Sequence, residues 1–236
     1  MSEKPRRFRT IRDGLKKLYP SEPKGNLTRH LNTLAAMISG IVGSRCSHLP
    51  AIAKQVPDGT KKESRTKRFT RLVKNERMSF ELYYQPYAEA LLTTLSHRPL
   101  VLVMDGSDVG RGCLTLMLGV VYKKRALPIA WIVIQGSKGH FPEETHVLLL
   151  ERVHAMVPPG SDVIFLGDGE FDGITLQANI DAYGWQYVCR TAKNSQIGAD
   201  DYRFSLEEVG LQPGDCIGLF DVSFTHQAYG LVLVIA

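Results

Sequence analysis

The chain has 236 residues, of which 44% are hydrophobic and 22% are charged, and its formal net charge is +5. This length and composition predict a globular protein with one substantial core and a smaller module. No uncharged apolar stretch approaches the roughly 20 residues of a membrane-spanning helix, and no apolar signal core follows the first residues, so we expect a cytoplasmic protein without a membrane partner.

The charge is distributed unevenly along the chain. Residues 1–98 carry 20 Lys and Arg against 8 Asp and Glu, a net charge of +12, whereas residues 99–236 carry 9 against 16, a net charge of −7. A basic module joined to a module rich in carboxylates indicates a polyanion partner, and we expect double-stranded DNA. The four cysteines show neither a disulfide framework nor a zinc-binding spacing.

Residues 1–98 are predicted to form a basic helical DNA-binding domain. Apolar residues recur every three or four positions over residues 27–43, which indicates an amphipathic helix. Further helices are predicted at 47–54, 64–75 and 79–96, the last kinked near Pro86. The arrangement resembles a helix-turn-helix whose 64–75 helix contacts DNA. The basic residues expected to do so are Arg65, Lys67, Arg68, Arg71 and Lys74.

A basic helix can also be an ordinary solvated face. For any single helix taken alone, a solvated face without DNA binding is a reasonable interpretation. The net charge of +12 over the first 98 residues favours DNA.

From residue 99 the hydrophobic pattern becomes that of an α/β unit. The predicted elements are strands at 99–104, 114–122 and 127–135, a helix at 142–156, a strand at 163–166, a helix at 172–183 and a strand at 185–190. The second and third strands are joined by a basic turn at 123–125, which predicts an antiparallel meander.

Two of these strands end on an aspartate. The runs Leu100-Val-Leu-Val-Met-Asp105 and Asp162-Val-Ile-Phe-Leu-Gly-Asp168 each indicate a short buried strand with a carboxylate where the strand meets its loop. Open α/β sheets gather their active-site groups at that position. Two such acids can share divalent cations, so we expect Asp105 and Asp168 to be catalytic residues and metal ligands.

This order of elements is that of the ribonuclease H-like fold, in which the first and fourth strands lie side by side. We therefore predict an α/β protein with a small all-α domain at 1–98, a ribonuclease H-like mixed sheet at 99–198 and the start of a β-rich insertion at 199–236. Short strands are predicted at 200–206, 211–220 and 229–236. The chain ends inside an apolar strand, whose unpaired edge invites association, and we expect a truncated reading frame or a fragment.

These features resemble the DDE transposases of bacterial insertion sequences, in the branch that inserts a β-rich segment before its third acid. The motifs are Val103-Met-Asp-Gly-Ser107, Gly167-Asp-Gly-Glu-Phe-Asp172 and Val188-Cys-Arg-Thr-Ala-Lys193, preceded by basic helices. Such transposases use two aspartates and a late glutamate to hold two magnesium ions for hydrolysis and strand transfer at transposon ends. Asp105 and Asp168 match the first two acids. The resemblance also implies a homodimer in the DNA complex and a bacterial, nucleoid-associated location.

The third acid is where this sequence departs from the family. There it lies on a helix beyond the β-rich insertion, near a Tyr, Arg and Lys pattern, and no such helix is predicted here. Glu207 and Glu208 precede the expected position, so neither is assigned. We expect an incomplete active site.

The metal chemistry expected of the two acids does not depend on the family resemblance. Hard carboxylate oxygens suit Mg²⁺ or Mn²⁺, and two cations about 4 Å apart can activate a nucleophile and stabilise the leaving oxygen of a phosphodiester. Arg190 and Lys193 follow the fifth strand and are expected to contact DNA phosphates near the cleft. Ordinary solvated charges at a strand end are the alternative.

Other polar residues have simpler interpretations. Asp105 and Asp168 can each be turn formers, since Asp-Gly is good turn chemistry, and Asp108 and Asp172 are expected to stabilise loops or cap helices. The group His140, Glu143, Glu144 and His146 matches no zinc spacing, and its acids suit a helix N-terminus.

Two other functions stay open. The segment Asp105-Gly-Ser-Asp-Val-Gly-Arg111 resembles the phosphate loop of sugar kinases and actin-like ATPases, but that phosphotransferase interpretation leaves the basic helices unexplained. The chain can also be a DNA-binding protein without catalysis, a transposase remnant that occupies transposon ends or inhibits its full-length relative.

Overall fold

The computed structural model describes residues 3–136, 141–199 and 202–236. The chain divides into two compact units, Met1–Thr94 and Leu95–Ala236. Across the described ranges, no helix combines the length and hydropathy required to cross a bilayer.

The first unit is entirely helical. Its helices are α1 (Glu3–Lys17), α2 (Gly25–Ser44), α3 (Leu49–Lys54), α4 (Lys62–Val73), α5 (Phe80–Tyr83) and α6 (Gln85–Leu95), the last ending at the unit boundary. The three helices predicted between residues 27 and 75 are confirmed to within a few residues. Helix α1 was not predicted, because it is dominated by charged residues and buries none of its side chains.

The helix predicted at 79–96 is wrong in one respect, since it consists of two helices with a break at Tyr84. Pro86 is the second residue of α6. Proline is tolerated in a first turn, where its missing N–H leaves no hydrogen bond unmade. The proline therefore begins a helix where a kink was expected.

A small apolar cluster holds α2, α3 and α4 together. Its buried members are Ala36, Ile52, Ala53, Val56 and Phe69. Helix α2 approaches α3 at Gly40, where a Cβ would lie 2.5 Å from Ile52 Cγ2 and 2.7 Å from the Ile52 carbonyl oxygen. No larger residue fits there without moving the backbone. This packing fixes the orientation of α4, which turns Phe69 into the core and Lys67 and Arg71 outward.

The second unit is built on a mixed five-stranded sheet in the order β3-β2-β1-β4-β5. The strands are β1 (Leu100–Gly110), β2 (Cys113–Tyr122), β3 (Arg125–Gln135), β4 (Val163–Gly167) and β5 (Gln186–Cys189). Strands β1, β4 and β5 pair in parallel, whereas β2 is antiparallel to both of its neighbours. The predicted adjacency of the first and fourth strands is confirmed. Helix α7 (Glu143–His154) packs against β2 and β3, and α8 (Ile174–Ala182) packs against α7 and β5.

Strand β1 is longer than predicted. It was expected to end at Met104, but it continues to Gly110 because β2 pairs with it from Leu102 to Gly110, with Asp105 opposite Met117. Its parallel ladder with β4 ends earlier, at Val103 and Leu166. On the β2 side, Asp105 therefore lies within the paired part of β1. On the β4 side, it lies just past the end of the ladder.

A second sheet of four strands has the order β7-β6-β8-β9. Its strands are β6 (Gln196–Ala199), β7 (Tyr202–Ser205), β8 (Gly218–Phe224) and β9 (Tyr229–Ile235), and a short 3-10 helix, η1 (Leu206–Val209), follows β7. The strand predicted at 211–220 is wrong over 211–217, where Asp215 and Gln212 form a turn. Strand β6 was not predicted, and the predicted residues Asp200 and Asp201 lie outside the described ranges.

Candidate active site and nucleic-acid surface

Asp105 and Asp168 follow the last pair of two adjacent parallel strands. Every paired residue of β1, from Leu100 to Val103, faces the residue 63 positions later in β4. The same offset of 63 positions separates Asp105 from Asp168, each two residues beyond the last pair. Asp105 still lies within β1, whereas Asp168 comes directly after the end of β4. We call Asp105 and Asp168 the carboxylate pair.

Strand alternation places Asp105 on the half-buried face of β1. Leu102, Met104 and Phe165 are buried on one face, whereas Val103 and Leu166 are half-buried on the other. Asp105 continues the second series two residues after Val103, whereas Asp168 lies past the end of β4 and begins a turn. Both side chains are exposed, so solvent and a substrate phosphate can reach them.

The two acids are held in different ways. Asp105 Oδ2 accepts a hydrogen bond from the Ser107 hydroxyl at 3.4 Å, within an uninterrupted strand, so Asp105 is not a turn former. Asp168 does stabilise a turn. Its Oδ1 accepts from the Glu170 N–H at 3.0 Å, and its carbonyl oxygen accepts from the Phe171 N–H at 3.0 Å.

The loop that carries Asp168, residues 168–173, and the start of α8 that follows it are anchored at three further points. Glu170 Oε1 accepts from the Phe141 N–H at 3.0 Å, Thr191 donates its hydroxyl to Asp172 Oδ2 at 2.6 Å, and Glu143 Oε1 accepts from the N–H groups of Thr175 and Leu176 at 2.8 and 3.1 Å. We call residues 168–173 the Asp168 loop. Its many partners restrict the position of Asp168.

Glu143 has a role that the sequence pattern did not reveal. Helix α8 begins after Gly173, which has no side chain to accept its first N–H groups. Glu143, from the start of α7, accepts two of them instead. A Cβ on Gly173 would collide with the Glu143 carboxylate. The sequence did indicate an acid at the N-terminus of a helix, since Glu143 begins α7. The helix that Glu143 caps, however, is α8.

The other polar residues near the acids mostly have structural partners. Asp108 Oδ1 accepts from the Gly110 N–H at 2.6 Å and Asp172 accepts from Thr191, which confirms their predicted loop roles. His146 is buried, with Nε2 3.8 Å from Glu170 Oε1. His140 lies outside the described residues.

Arg190 comes directly after β5, the strand next to β4. Its N–H donates to the Gly167 carbonyl oxygen at 3.0 Å, one step past the last β4–β5 pair of Gly167 and Cys189. The same offset places Arg190 level with Asp168. Its side chain is exposed, as expected for a phosphate contact. Lys193 Nζ lies 3.5 Å from Glu207 Oε2 on an exposed surface, where such pairs contribute little.

The Cys189 thiol donates to the Phe171 carbonyl oxygen at 3.3 Å. Burial, with a smaller contribution from the charge of Asp172, raises the pKa of Cys189 to about 12. The free thiol is therefore protonated at neutral pH.

Within residues 3–136, 141–199 and 202–236, no group of three or more His, Cys, Asp or Glu side chains is arranged to hold a metal ion. The carboxylate pair is nevertheless suited to Mg²⁺, since this ion keeps several waters and takes only one or two protein carboxylates. The exposed carboxylates of Asp105 and Asp168 are ligands of that kind.

The five basic residues predicted to contact DNA fall into two groups. Arg65 lies with Nε 3.6 Å from Asp58 Oδ1, and it also donates to the Val56 carbonyl oxygen. Arg68 Nη2 lies 2.9 Å from Asp58 Oδ2, and its guanidinium lies 5.6 Å from the centre of the Phe69 ring. Only 13% of the Arg65 side chain is exposed. These two arginines are engaged inside the helical unit.

The remaining three residues, Lys67, Arg71 and Lys74, are exposed. Their spacing of four and three positions places them on one face of α4 and its C-terminal cap. We call these three residues the basic stripe. Phe69 and Leu72 are buried on the opposite side, so the stripe faces away from the core.

Thr60 and Arg68 lower the pKa of Asp58. Desolvation alone raises the pKa of this carboxyl, but the hydrogen bonds from Thr60 and Arg68 outweigh it, and the pKa lies below its ordinary value. The sequence missed this cluster because Asp58 lies in a Pro-Asp-Gly turn, a composition that is explained by turn chemistry alone.

Comparisons with known proteins give little further information. No family model matches the sequence, and no curated protein matches it. Among solved structures, the chain is similar to a piggyBac transposase, determined by cryo-EM as a synaptic complex with hairpin DNA. The identity is 14% and the TM-score 0.42, over 100% of this chain and 61% of that chain. The chain thus spans less than two thirds of that protein.

Proposed function

We propose that this chain is a transposase of the DDE type, in which Asp105 and Asp168 hold the cations for phosphodiester hydrolysis and strand transfer at transposon ends. The observation that carries the proposal is that Asp105 and Asp168 each lie two residues beyond the last pair of the parallel β1–β4 ladder. Two hard acids just past a parallel ladder are placed near the position where open α/β sheets perform their chemistry.

The sheet topology supports a ribonuclease H-like core. An antiparallel meander of three strands is followed by two parallel strands, with β1 in the centre of the order β3-β2-β1-β4-β5. The first and fourth strands carry the acids. This is the arrangement that the sequence resemblance implies, and a helix-turn-helix-like unit before it supplies the DNA contacts.

Mg²⁺ or Mn²⁺ is the proposed cofactor. When bound, it activates the attacking oxygen and stabilises the leaving oxygen of the phosphodiester. Asp105 and Asp168 hold it through exposed carboxylates, while Arg190, level with Asp168, binds a phosphate of the scissile strand. Only these two acids are assigned, and Glu207 and Glu208 have no role in the proposed site.

The proposed partner is double-stranded DNA, at transposon ends and at the target. The basic stripe supplies phosphate contacts without competing structural bonds, and Lys193 supplies another near the sheet. A homodimer in the DNA complex and a nucleoid-associated, cytoplasmic location in a bacterium complete the proposal.

The direct test is Mn²⁺ binding, followed by electron paramagnetic resonance. We expect the wild type to bind Mn²⁺ and both Asp105→Asn and Asp168→Asn to lose most of that affinity. Asp108→Asn is the matched control, because Asp108 accepts a hydrogen bond from Gly110 that an asparagine oxygen can also accept. Equal binding by all four proteins contradicts the proposal.

A second function is favoured by the basic stripe, which lies on α4 and contains none of the acids. The chain can bind transposon ends without cutting them, as a transposase remnant or inhibitor. End binding that survives alanine at both acids, without cleavage at any Mg²⁺ or Mn²⁺ concentration, would decide for it. Magnesium-dependent nucleotide hydrolysis without DNA would instead favour the phosphotransferase.

A further inference from the structure

Phe141 lies between the two segments that carry the acids. Its ring rests against β1 at Gly106, the residue after Asp105, where a Cβ would lie 3.1 Å from Phe141 Cε2. Its N–H donates to Glu170 in the Asp168 loop at 3.0 Å. Phe141 is buried, and its hydrogen bond to Glu170 is partly buried.

Glu170 completes the bridge from the other side. Its backbone N–H donates to Asp168 Oδ1 at 3.0 Å, while its own carboxylate accepts from Phe141. Glu170 Oε2 also lies 3.7 Å from the Cβ position on Gly106. One residue therefore orients the Asp168 carboxylate through its main chain and reaches the strand of Asp105 through its side chain.

The geometry separates Glu170 from the metal-binding face. Side chains alternate along β1, so the Cβ direction at Gly106 is opposite to that of Asp105. Glu170 and Phe141 lie on the Gly106 side. Glu170 thus supports the carboxylate pair from beneath the sheet.

We propose that Glu170 is a positioning residue that fixes the Asp168 carboxylate relative to Asp105, through its hydrogen bond with Phe141 and the contact of Phe141 with Gly106. This inference rests on the proposed function, since it concerns the same pair of acids. The hydrogen bond restricts the Asp168 loop, and the loop restricts the rotation of the carboxylate.

Two variants of Glu170 separate positioning from ligation. Glu170→Ala removes the acceptor for the Phe141 N–H, whereas Glu170→Gln keeps an acceptor oxygen at the same place and removes only the charge. We expect Glu170→Ala to weaken Mn²⁺ binding by about tenfold or more, the usual effect of losing an outer-shell partner. Glu170→Gln should bind within a small factor of the wild type. Circular dichroism verifies that both are folded.

Two results would overturn the inference while leaving the proposed function intact. One is a Glu170→Ala protein that binds Mn²⁺ as tightly as the wild type. The other is a Glu170→Gln protein that binds as weakly as Glu170→Ala, since that points to the charge rather than the hydrogen bond. If Glu170→Ala does not fold, Gly106→Ala tests the same bridge, because its Cβ presses on the Phe141 ring. Unchanged Mn²⁺ affinity in that variant counts against the inference.

If the wild type itself binds no Mn²⁺, the proposed function fails and the bridge is judged without metal. Hydrogen exchange at the Phe171 N–H, which donates to the Asp168 carbonyl oxygen, then reports on the loop. Faster exchange in Glu170→Ala but not in Glu170→Gln supports the bridge. Equal exchange in all three proteins overturns it.

Discussion

Asp105 and Asp168 differ by 63 positions, the same offset that relates every paired residue of β1 and β4. Both acids follow the last pair of that ladder, Val103 and Leu166, by two residues. Their relative position depends on the packing of two buried strands, and a change in that packing should disturb the site.

Phe165 tests this dependence. It is fully buried in β4, opposite Leu102 of β1. Phe165→Ala should lower the free energy of unfolding by about 3–5 kcal/mol, as large-to-small changes in a core do, and should weaken Mn²⁺ binding in the protein that remains folded. Val188→Ala, on the exposed face of the neighbouring strand β5, is the control and should change both quantities little. Chemical denaturation and Mn²⁺ titration measure the two effects.

Glu143 offers a test of helix capping from a distance. Glu143→Ala removes the acceptor for the Thr175 and Leu176 N–H groups, so it should cost about 0.5–2 kcal/mol of stability, the range for a lost N-cap. Glu144→Ala, next to it and exposed, should cost much less. Denaturant titrations compare the two variants, and equal losses would show that Glu143 caps nothing of consequence.

The basic residues of α4 should separate into two classes when mutated. Removing the basic stripe, as Lys67→Ala, Arg71→Ala and Lys74→Ala together, should weaken DNA binding uniformly. The slope of the salt dependence should fall by about one unit for each phosphate that the protein no longer neutralises. Fluorescence anisotropy at several salt concentrations measures this slope. A value equal to that of the wild type would remove the stripe from the DNA interface.

Arg65→Ala is the counterpart within the same helix. Its guanidinium is mostly buried beside Asp58 and the Val56 carbonyl oxygen, so its loss should reduce stability by about 1–3 kcal/mol through unpaired buried groups. We expect the salt slope of DNA binding to stay close to that of the wild type. A stable Arg65→Ala protein with a reduced slope would assign Arg65 to DNA instead.

Asp58 predicts a pH dependence of stability. Its pKa is lowered in the folded chain, so its contribution is present above the ordinary pKa of an unfolded aspartate and is lost as the pH falls through the folded pKa. The difference in stability between the wild type and Asp58→Asn should therefore be largest near neutral pH and shrink in acid. Thermal unfolding between pH 7 and pH 2 measures this difference, and a constant difference contradicts the assignment.

Much of the fold and part of the site could be predicted from the sequence. The alternating apolar runs predicted the five strands of the first sheet, and their order predicted the pairing of β1 with β4. It did not predict the length of β1, because that length depends on hydrogen bonds to β2. The cap from Glu143 was not predicted either, since it joins two helices about 30 residues apart in the chain.

The roles of the basic residues of α4 also could not be predicted from the sequence. Composition identified five basic residues, but it could not tell which of them a distant carboxylate would engage. Asp58 engages Arg65 and Arg68 and leaves Lys67, Arg71 and Lys74 exposed. A charge count measures the attraction to DNA, whereas the fold decides which charges are available for it.

The position of a bound Mn²⁺ tests the shared cation site of Asp105 and Asp168 most directly. Crystals soaked in Mn²⁺ and measured near its absorption edge give the ion position without reference to activity. We expect an anomalous peak within about 2.5 Å of a carboxylate oxygen of both Asp105 and Asp168, a typical distance for oxygen ligands. A peak elsewhere, or carboxylates that point away from a common position, would contradict the shared site.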